Sequence, residues 1–546
     1  MLLKSLNWSL RTITLTSILM SVSVLSAQDR SQEPQSNQWS IAGQNLSNTW
    51  SQPAEHSINP ANVNGLSPKW VFTTDGDVSA TPTVADDAVY FPDWGGNLFA
   101  VKKETGRLIW SHQISDYDGV AGAISRVSPA VDGNLVIIGD ILNSKQTHNG
   151  ANVIAIDRHT GTRRWITQVE AHPAAVITGS PVVFDSVVYI GVSSNEETLA
   201  LDPTYPCCSF RGSIVALDEK TGTILWKTFD MPDNGGRPDQ YSGGAVWQPP
   251  AIDPKRGLLF IGTGNNYTVP ADVEACQNTT PTANCTAAND FFDAAFALDL
   301  KTGQIRWAHK LQSLDTWTVA CIRPSGGTNP NCPVPSSPDF DLGGSGPNLI
   351  GNIVGFGQKS GIFWALNPDN GNIVWSTPVG PGGSLGGIEW GTATDGKRIY
   401  VAISNNDHLA YTLVPSGQQI SWGSWSALDV ATGEILWQTA DPTAGTIDTG
   451  SVSVANGVMY AGSYAGQMYA LDTTTGNILW SFPSGGSVID GPSIVDGVLY
   501  WGSGYRNIPP GIGNNKVFAF ALDESKGRGK HDNPGHDHSE DHDDKK

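Results

Sequence analysis

An eleven-residue pattern, Ala-apolar-x-x-x-(Thr/Asn)-Gly-x-x-x-Trp, occurs seven times, at residues 100–110, 155–165, 216–226, 297–307, 365–375, 427–437 and 470–480. Each copy reads as strand, tight turn, strand: an apolar pair, typically Asp-x-x-Thr-Gly, then alternation into Trp. Gly supplies the turn position that needs positive φ, while Asp and Thr bond the turn's own backbone. Ten residues from Ala to Trp suit a hairpin and leave no room for a helix between them.

Trp70 is an eighth Trp in the same role, in LSPKWVF, but no hairpin partner precedes it. The missing strand is at the other end, in VFAFAL at 517–522. The C-terminal strand therefore completes the blade that the N-terminus begins, and such closure removes free sheet edges from a ring. Short strands between the copies, such as AVYF at 88–91 and VMYA at 458–461, fill the blades. The expectation is an all-β, eight-bladed β-propeller whose tryptophans pack between neighbouring blades. A chain of 546 residues would otherwise suggest two to four domains. The repeat assigns nearly all of it to one ring. Trp spacing stretches between Trp226 and Trp307 and between Trp307 and Trp375, so the long insertions concentrate there.

Residues 1–27 read as a signal peptide: Lys4 and Arg11 precede a short apolar run, and Ser26-Ala27 offers a small-residue cleavage site. That run falls short of the roughly 20 residues needed to span a bilayer, and no other stretch could cross a membrane. The propeller is assigned to 28–525, and the His-rich acidic tail at 526–546 reads as solvated, with loose metal binding as the alternative. The expected location is periplasmic or secreted. A net charge of −20 argues against a nucleic-acid partner. Export favours disulfides, and the six cysteines are even in number. Cys276 with Cys285 and Cys321 with Cys332 could each staple one insertion, whereas adjacent Cys207 and Cys208 can join only through an eight-membered ring. No CxxCH occurs, so no attached c-type haem is encoded.

The Trp repeat, eight blades, vicinal Cys207-Cys208 and export signal together resemble the pyrroloquinoline-quinone (PQQ) dependent alcohol dehydrogenases. YPCCSFRGSIVALD, VYFPDWGGNLFA, GGIEWGTATD and LYWGSGYRN are closer still to the polyvinyl-alcohol dehydrogenase branch. The resemblance implies PQQ and Ca²⁺ as cofactors, a small or polymeric secondary alcohol as substrate, and a separate soluble cytochrome c as electron acceptor. It sets Trp247 as the floor under PQQ, with a packing Trp as the alternative, and Cys207-Cys208 as the ceiling. It makes Asn265 and Glu196 the metal ligands, with adjacent Glu197 able to substitute. Arg126, Thr178, Ser193 and Ser194 become rim partners of the cofactor carboxylates, and Lys359 faces the quinone oxygens.

Two positions depart from the family pattern. Methanol-oxidising relatives carry the catalytic carboxylate directly after the Trp of an Asp-x-Trp-Asp segment; here that position is Thr318. Asp315 is the nearest remaining carboxylate and the expected base, with Glu389 a weaker alternative. Those relatives also carry a Glu partner for the Arg where this chain has Ser79. The competing reading is a non-catalytic Trp-repeat propeller acting as an assembly scaffold, which has no need of a vicinal cysteine pair, a floor Trp or a Glu/Asn pair.

Overall fold

The computed structural model describes residues 37–142, 150–280, 284–322, 329–337 and 339–523. The signal-peptide and tail assignments lie outside them. Within them, eight antiparallel sheets form the blades, seven of four strands and one of five. Blades 1 to 7 span 83–113, 130–170, 175–229, 251–310, 348–378, 393–440 and 452–483. Blade 8 joins Ser493–Val495, Val498–Ser503 and Lys516–Leu522 to Leu66–Thr73. Trp70 pairs with Ala519 in that last ladder, so the expected closure between the two ends of the chain is present.

The tryptophans do more than fill space. Seven donate their indole N–H to a carbonyl at the hairpin turn of the next blade, and the eighth to the start of the strand Leu66–Thr73. The bonds run Trp70 to Lys103, Trp110 to Arg158, Trp165 to Glu219 and Trp226 to Leu300. They continue Trp307 to Pro368, Trp375 to Val430 and Trp437 to Thr473, until Trp480 closes the circle on Leu66. All eight fall between 2.8 and 3.2 Å. The turn glycine has a second duty here. A Cβ on Gly476, at φ +71°, would meet Cε3 of Trp437 at 2.5 Å.

First strands are more buried than fourth strands, as Thr83–Ala85 is against Leu108–Gln113. First strands touch first strands of adjacent blades, which makes them the inner wall of the ring. Their open edges need partners, and the segment 39–52 supplies them. Val131, Ile252, Leu349, Thr394 and Val454 donate backbone N–H groups to the carbonyls of Ser40, Leu46, Ser47, Thr49 and Trp50. The N-terminal segment thus crosses the inner wall from blade to blade and caps it, a role the repeat pattern does not disclose. No helix among the described residues is long and apolar enough to cross a membrane.

Candidate active site

The site is built where blade 3 departs from the four-strand rule. Its second strand, Val187–Ser194, runs past its neighbours and pairs with an extra strand, Ala175–Val176, so that Val176 lies opposite Ser193. That extension places Thr178, Ser193 and Ser194 at one end of the blade. Ser194 Oγ accepts the N–H of Glu196 at 2.8 Å and turns the chain into the short helix Glu196–Leu199. Thr178 Oγ1 is enclosed without a partner.

Glu196 is engaged by protein donors. Its carboxylate accepts the backbone N–H of Ser209 at 2.8 Å and of Phe210 at 2.7 Å, and the hydroxyl of Tyr205 at 3.1 Å. It anchors the chain just after Cys207-Cys208. Alternation along the turn sends Glu196, the expected metal ligand, under the cysteine loop. Glu197 instead faces the electrostatic field of Lys359, Asp341 and Asp315, its Oε1 unpartnered, and burial pushes its carboxyl up to about 7. It is half-buried by surface area although protein surrounds it, as expected for a group bordering an internal space.

Cys207 and Cys208 are joined by a disulfide. The Cys208 carbonyl accepts from Thr268 Oγ1 at 3.3 Å, which ties the pair to the strand Asn266–Thr268 that follows Asn265. Asn265 is held rigidly. Its amide donates to the carbonyls of Asn266 and Trp317 at 2.9 and 2.8 Å, and its backbone N–H donates to Asp341 Oδ1 at 2.7 Å. Both amide hydrogens are spent on orientation, leaving the lone pairs of Oδ1 available. The other two cystines pair within the insertions, Cys276 with Cys285 and Cys321 with Cys332.

Lys359 is the electrostatic centre. Its ammonium lies 5.4 Å from the ring centroid of Trp247 and donates to Asp339 Oδ2 at 2.8 Å and Asp341 Oδ2 at 2.9 Å. Burial opposes its charge, but the carboxylates of Asp339 and Asp341 outweigh that and raise its pKa. Glycines 343 and 344 let the backbone approach Trp247; a Cβ on Gly344 would meet its Cη2 at 2.7 Å. One cation faces several carboxylates that cannot all ionise together. Burial raises Asp339 well above the usual carboxylate range even beside Lys359. Asp339 Oδ1 has no hydrogen-bond partner.

Asp315, the expected base, sits differently. It is wholly buried, and both oxygens are engaged: Oδ1 accepts the Ser337 hydroxyl and Oδ2 the backbone N–H of Phe340. Burial lifts it to about 6 against these bonds. Its bonds bracket Asp339 and fix the loop that presents it. Asp315, expected as the base, thus has both oxygens occupied, whereas Asp339 on the loop it holds keeps Oδ1 without a partner.

Arg126 is brought to a cage of Trp94, Trp390 and Tyr505, its guanidinium carbon 5.9 to 6.0 Å from the three ring centroids. Ser79 accepts the Trp94 indole N–H at 2.8 Å, which fixes one face of the cage beside the guanidinium. Glu389, 2% exposed with Oε1 unpartnered, is buried in the fields of Lys359 and Arg126 and pushed up to about 8 by burial. Sequence reasoning missed Asp339, Asp341 and the cage. The Asp-x-Asp before the glycine pair at 343–344 was the available signal.

Fold and site together define a β-propeller oxidoreductase. The glucose/ethanol/alcohol dehydrogenase β-propeller model, PQQ, matches residues 39–321. Polyvinylalcohol dehydrogenase of Sphingopyxis sp. (strain 113P3) is 30% identical across 89% of this chain and 77% of its own length. Its counterpart from Pseudomonas sp. is 28% identical with the same coverage. The crystal structure of quinohemoprotein alcohol dehydrogenase from Comamonas testosteroni shares the fold, with TM-score 0.66 at 19% identity over 90% of this chain and 81% of that one. An outer membrane protein assembly factor model, BamB, matches residues 421–531 only. The chain belongs to the PQQ-dependent alcohol dehydrogenase β-propeller family, and it is an enzyme of the oxidoreductase class rather than a scaffold.

The residues present fit PQQ. A planar tricarboxylate needs a flat face, cations and donors at its rim. Trp247 provides the face, Lys359 the ammonium, Arg126 a guanidinium without a carboxylate partner among the described residues, and Thr178 an orphaned hydroxyl. Buried polar atoms left unpaired in this number call for a bound group.

Proposed function

We propose that this protein is an exported PQQ- and Ca²⁺-dependent alcohol dehydrogenase that oxidises a secondary alcohol of a polyvinyl-alcohol-like polymer to a ketone. Its electrons pass to a separate soluble cytochrome c, and its place of work is the periplasm or outside the cell. The observation that carries the reading is Lys359, held over Trp247 between two buried aspartates, one of which keeps a free oxygen.

In this reading Trp247 and the Cys207-Cys208 disulfide form the two flat walls of the cofactor pocket. Arg126, Thr178 and Ser193 hold carboxylates, and Ser194 does so while capping the turn to Glu196. Glu197 Oε1 and Asn265 Oδ1 are hard oxygen ligands suited to Ca²⁺. Bound there, the quinone and the cation supply a two-electron acceptor and a Lewis acid.

The alcohol must lose a hydroxyl proton and a carbon-bound hydride. Asp339 takes the proton on Oδ1: it is the carboxylate with an unused oxygen, and its raised pKa makes it a stronger base than an exposed Asp. Lys359 steadies Asp339 through Oδ2 and offers positive charge where negative charge develops. Asp315 positions the loop and takes no proton from substrate. An acidic surface suits electrostatic steering of a basic cytochrome.

The test is reconstitution of the purified apoprotein with PQQ and Ca²⁺, followed by dye reduction with primary, secondary and polymeric alcohols. Turnover with secondary alcohols is the expected result. Absence of dye reduction with every alcohol tested rejects the reading.

A further inference from the structure

A cavity of about 300 Å³ lies beside the site, walled by the two long insertions. One wall is the helix Ala271–Thr279, and the other is the segment 329–335. Cys207, Tyr267 and Thr316 form its inner side. Each lies within two residues of a site residue: Cys207 adjoins Cys208, Tyr267 is two from Asn265, and Thr316 adjoins Asp315. At the outer side, Val334 is 63% exposed.

The walls are tied. Cys276–Cys285 and Cys321–Cys332 staple them, and Asn278 Nδ2 donates across to the Val334 carbonyl at 3.0 Å. Asn331 Nδ2 donates to the carbonyls of Asp202 and Tyr205, next to the cysteine pair. A stapled cavity of this kind is preformed rather than collapsed.

Its lining combines two chemistries. Pro330, Pro333, Val334 and Pro335 are apolar and short of donors. Against them stand Gln277 and Thr316, each 1% exposed, with Gln277 Oε1 and Nε2 and Thr316 Oγ1 all lacking a hydrogen-bond partner. Leaving three such atoms unpaired is costly unless something else pairs them. An aliphatic chain with hydroxyls at intervals satisfies both walls at once. Its methylenes lie on the prolines, and its hydroxyls, each donor and acceptor, meet the amide and the threonine.

We propose that this cavity is a subsite for the neighbouring repeat units of a polyhydroxylated aliphatic chain, read by Gln277 and Thr316, while one unit is oxidised at the adjacent centre. The inference rests on the alcohol dehydrogenase reading above. It makes length and spacing of hydroxyls, rather than the reacting carbinol alone, the basis of specificity.

Gln277→Met and Thr316→Val keep side-chain volume while removing the readers. In the holoenzyme, each is expected to lower kcat/KM for vinyl-alcohol oligomers roughly tenfold, the loss of about one hydrogen bond. The value for 2-propanol, which cannot reach the subsite while reacting, should stay within twofold. Calorimetric titration of vinyl-alcohol oligomers into the apoprotein gives a second readout, with affinity falling by a similar factor in each variant. Parallel loss for oligomer and 2-propanol, or unchanged oligomer binding in both variants, overturns the subsite. Dye reduction absent with all alcohols while oligomer binding still depends on Gln277 would sink the dehydrogenase reading and leave the subsite standing.

Discussion

Lys359 Nζ donates to Asp339 Oδ2 across 2.8 Å while Asp339 Oδ1 is enclosed with no hydrogen-bond partner. A carboxylate held at one oxygen and free at the other is oriented for proton transfer. Asp339→Asn keeps the shape and the contact to Lys359 but cannot accept a proton. The expected outcome is a loss of roughly 10²–10⁴ in kcat, with PQQ affinity, read by quenching of protein fluorescence, within a few-fold of wild type. Because burial raises the Asp339 pKa, activity should climb with pH as the group ionises. A kcat near wild type in the variant would falsify the assignment.

Asp315→Asn tests the supporting role. Its carboxylate takes the Ser337 hydroxyl and the Phe340 N–H, on either side of Asp339. An amide retains one acceptor and loses the other, so the loop loosens without the proton acceptor being removed. We expect a fall in kcat of about tenfold or less and destabilisation of roughly 1–3 kcal/mol, with the pH profile retaining its wild-type shape. A loss as deep as that of Asp339→Asn would return the base to residue 315.

Adjacent glutamates give a paired experiment. Glu196 satisfies the N–H groups of Ser209 and Phe210, so Glu196→Ala strands two buried donors and should cost the apoprotein roughly 2–4 kcal/mol. Glu197 has an unpartnered oxygen and a pKa raised by burial; Glu197→Gln should leave the apoprotein as stable or more so. Added Ca²⁺ with PQQ should raise the melting temperature of the Glu196 variant and leave that of the Glu197 variant unmoved. The reverse pattern restores Glu196 as the ligand.

The repeat made the architecture legible because one hairpin chemistry is used in every blade: Ala, the turn Gly and the Trp at fixed offsets report a local geometry. Closure was readable for the same reason, since Trp70 lacked a hairpin partner and 517–522 lacked a Trp. The cap formed by 39–52 was not readable, because its bonds run through backbone carbonyls and leave no side-chain pattern. Within the site, Asn265 and Lys359 each lie two or three residues past the end of a blade strand, Leu258–Gly262 and Ile353–Gly357, so the repeat register brought them near the site. Glu196 could not be told from Glu197 that way, because a turn decides which of two neighbours faces inward. Asp339 was missed because it reaches the site from an irregular insertion, where chain distance from the floor Trp carries no geometric information.

Glu389 offers a pH test in the apoprotein. Its folded pKa, about 8, lies above the usual 4.5 because burial disfavours the charged form. The folded state therefore holds a proton that the unfolded chain releases, and this contribution is full below pH 4.5 and lost as pH rises through 8. Each unit within that window removes up to ~1.4 kcal/mol. Glu389→Gln cannot ionise, so its stability relative to wild type should grow between pH 5 and pH 8, by roughly 1 kcal/mol per unit or less. Urea midpoints taken at intervals across the window check this; parallel wild-type and variant curves would remove Glu389 from the acidic cluster.

The turn glycines carry the last prediction. Gly476 sits at φ +71° and a Cβ there would come within 2.5 Å of Trp437 Cε3 on the preceding blade. Two costs are therefore superposed in Gly476→Ala, a backbone one and a packing one. The left-handed backbone alone costs an alanine roughly 1–2 kcal/mol. Overpacking against a ring that is fixed by its own bond to the Thr473 carbonyl adds roughly 1–3 kcal/mol. Trp437→Leu removes the obstructing ring, at its own cost in burial, and leaves the backbone term untouched. In a double-mutant cycle the two substitutions should therefore be non-additive, the alanine costing at least about 1 kcal/mol less in the Trp437→Leu background. Strict additivity would show that positive φ alone selects glycine in these turns, and that the blades dock without the glycine being shaped to receive the tryptophan.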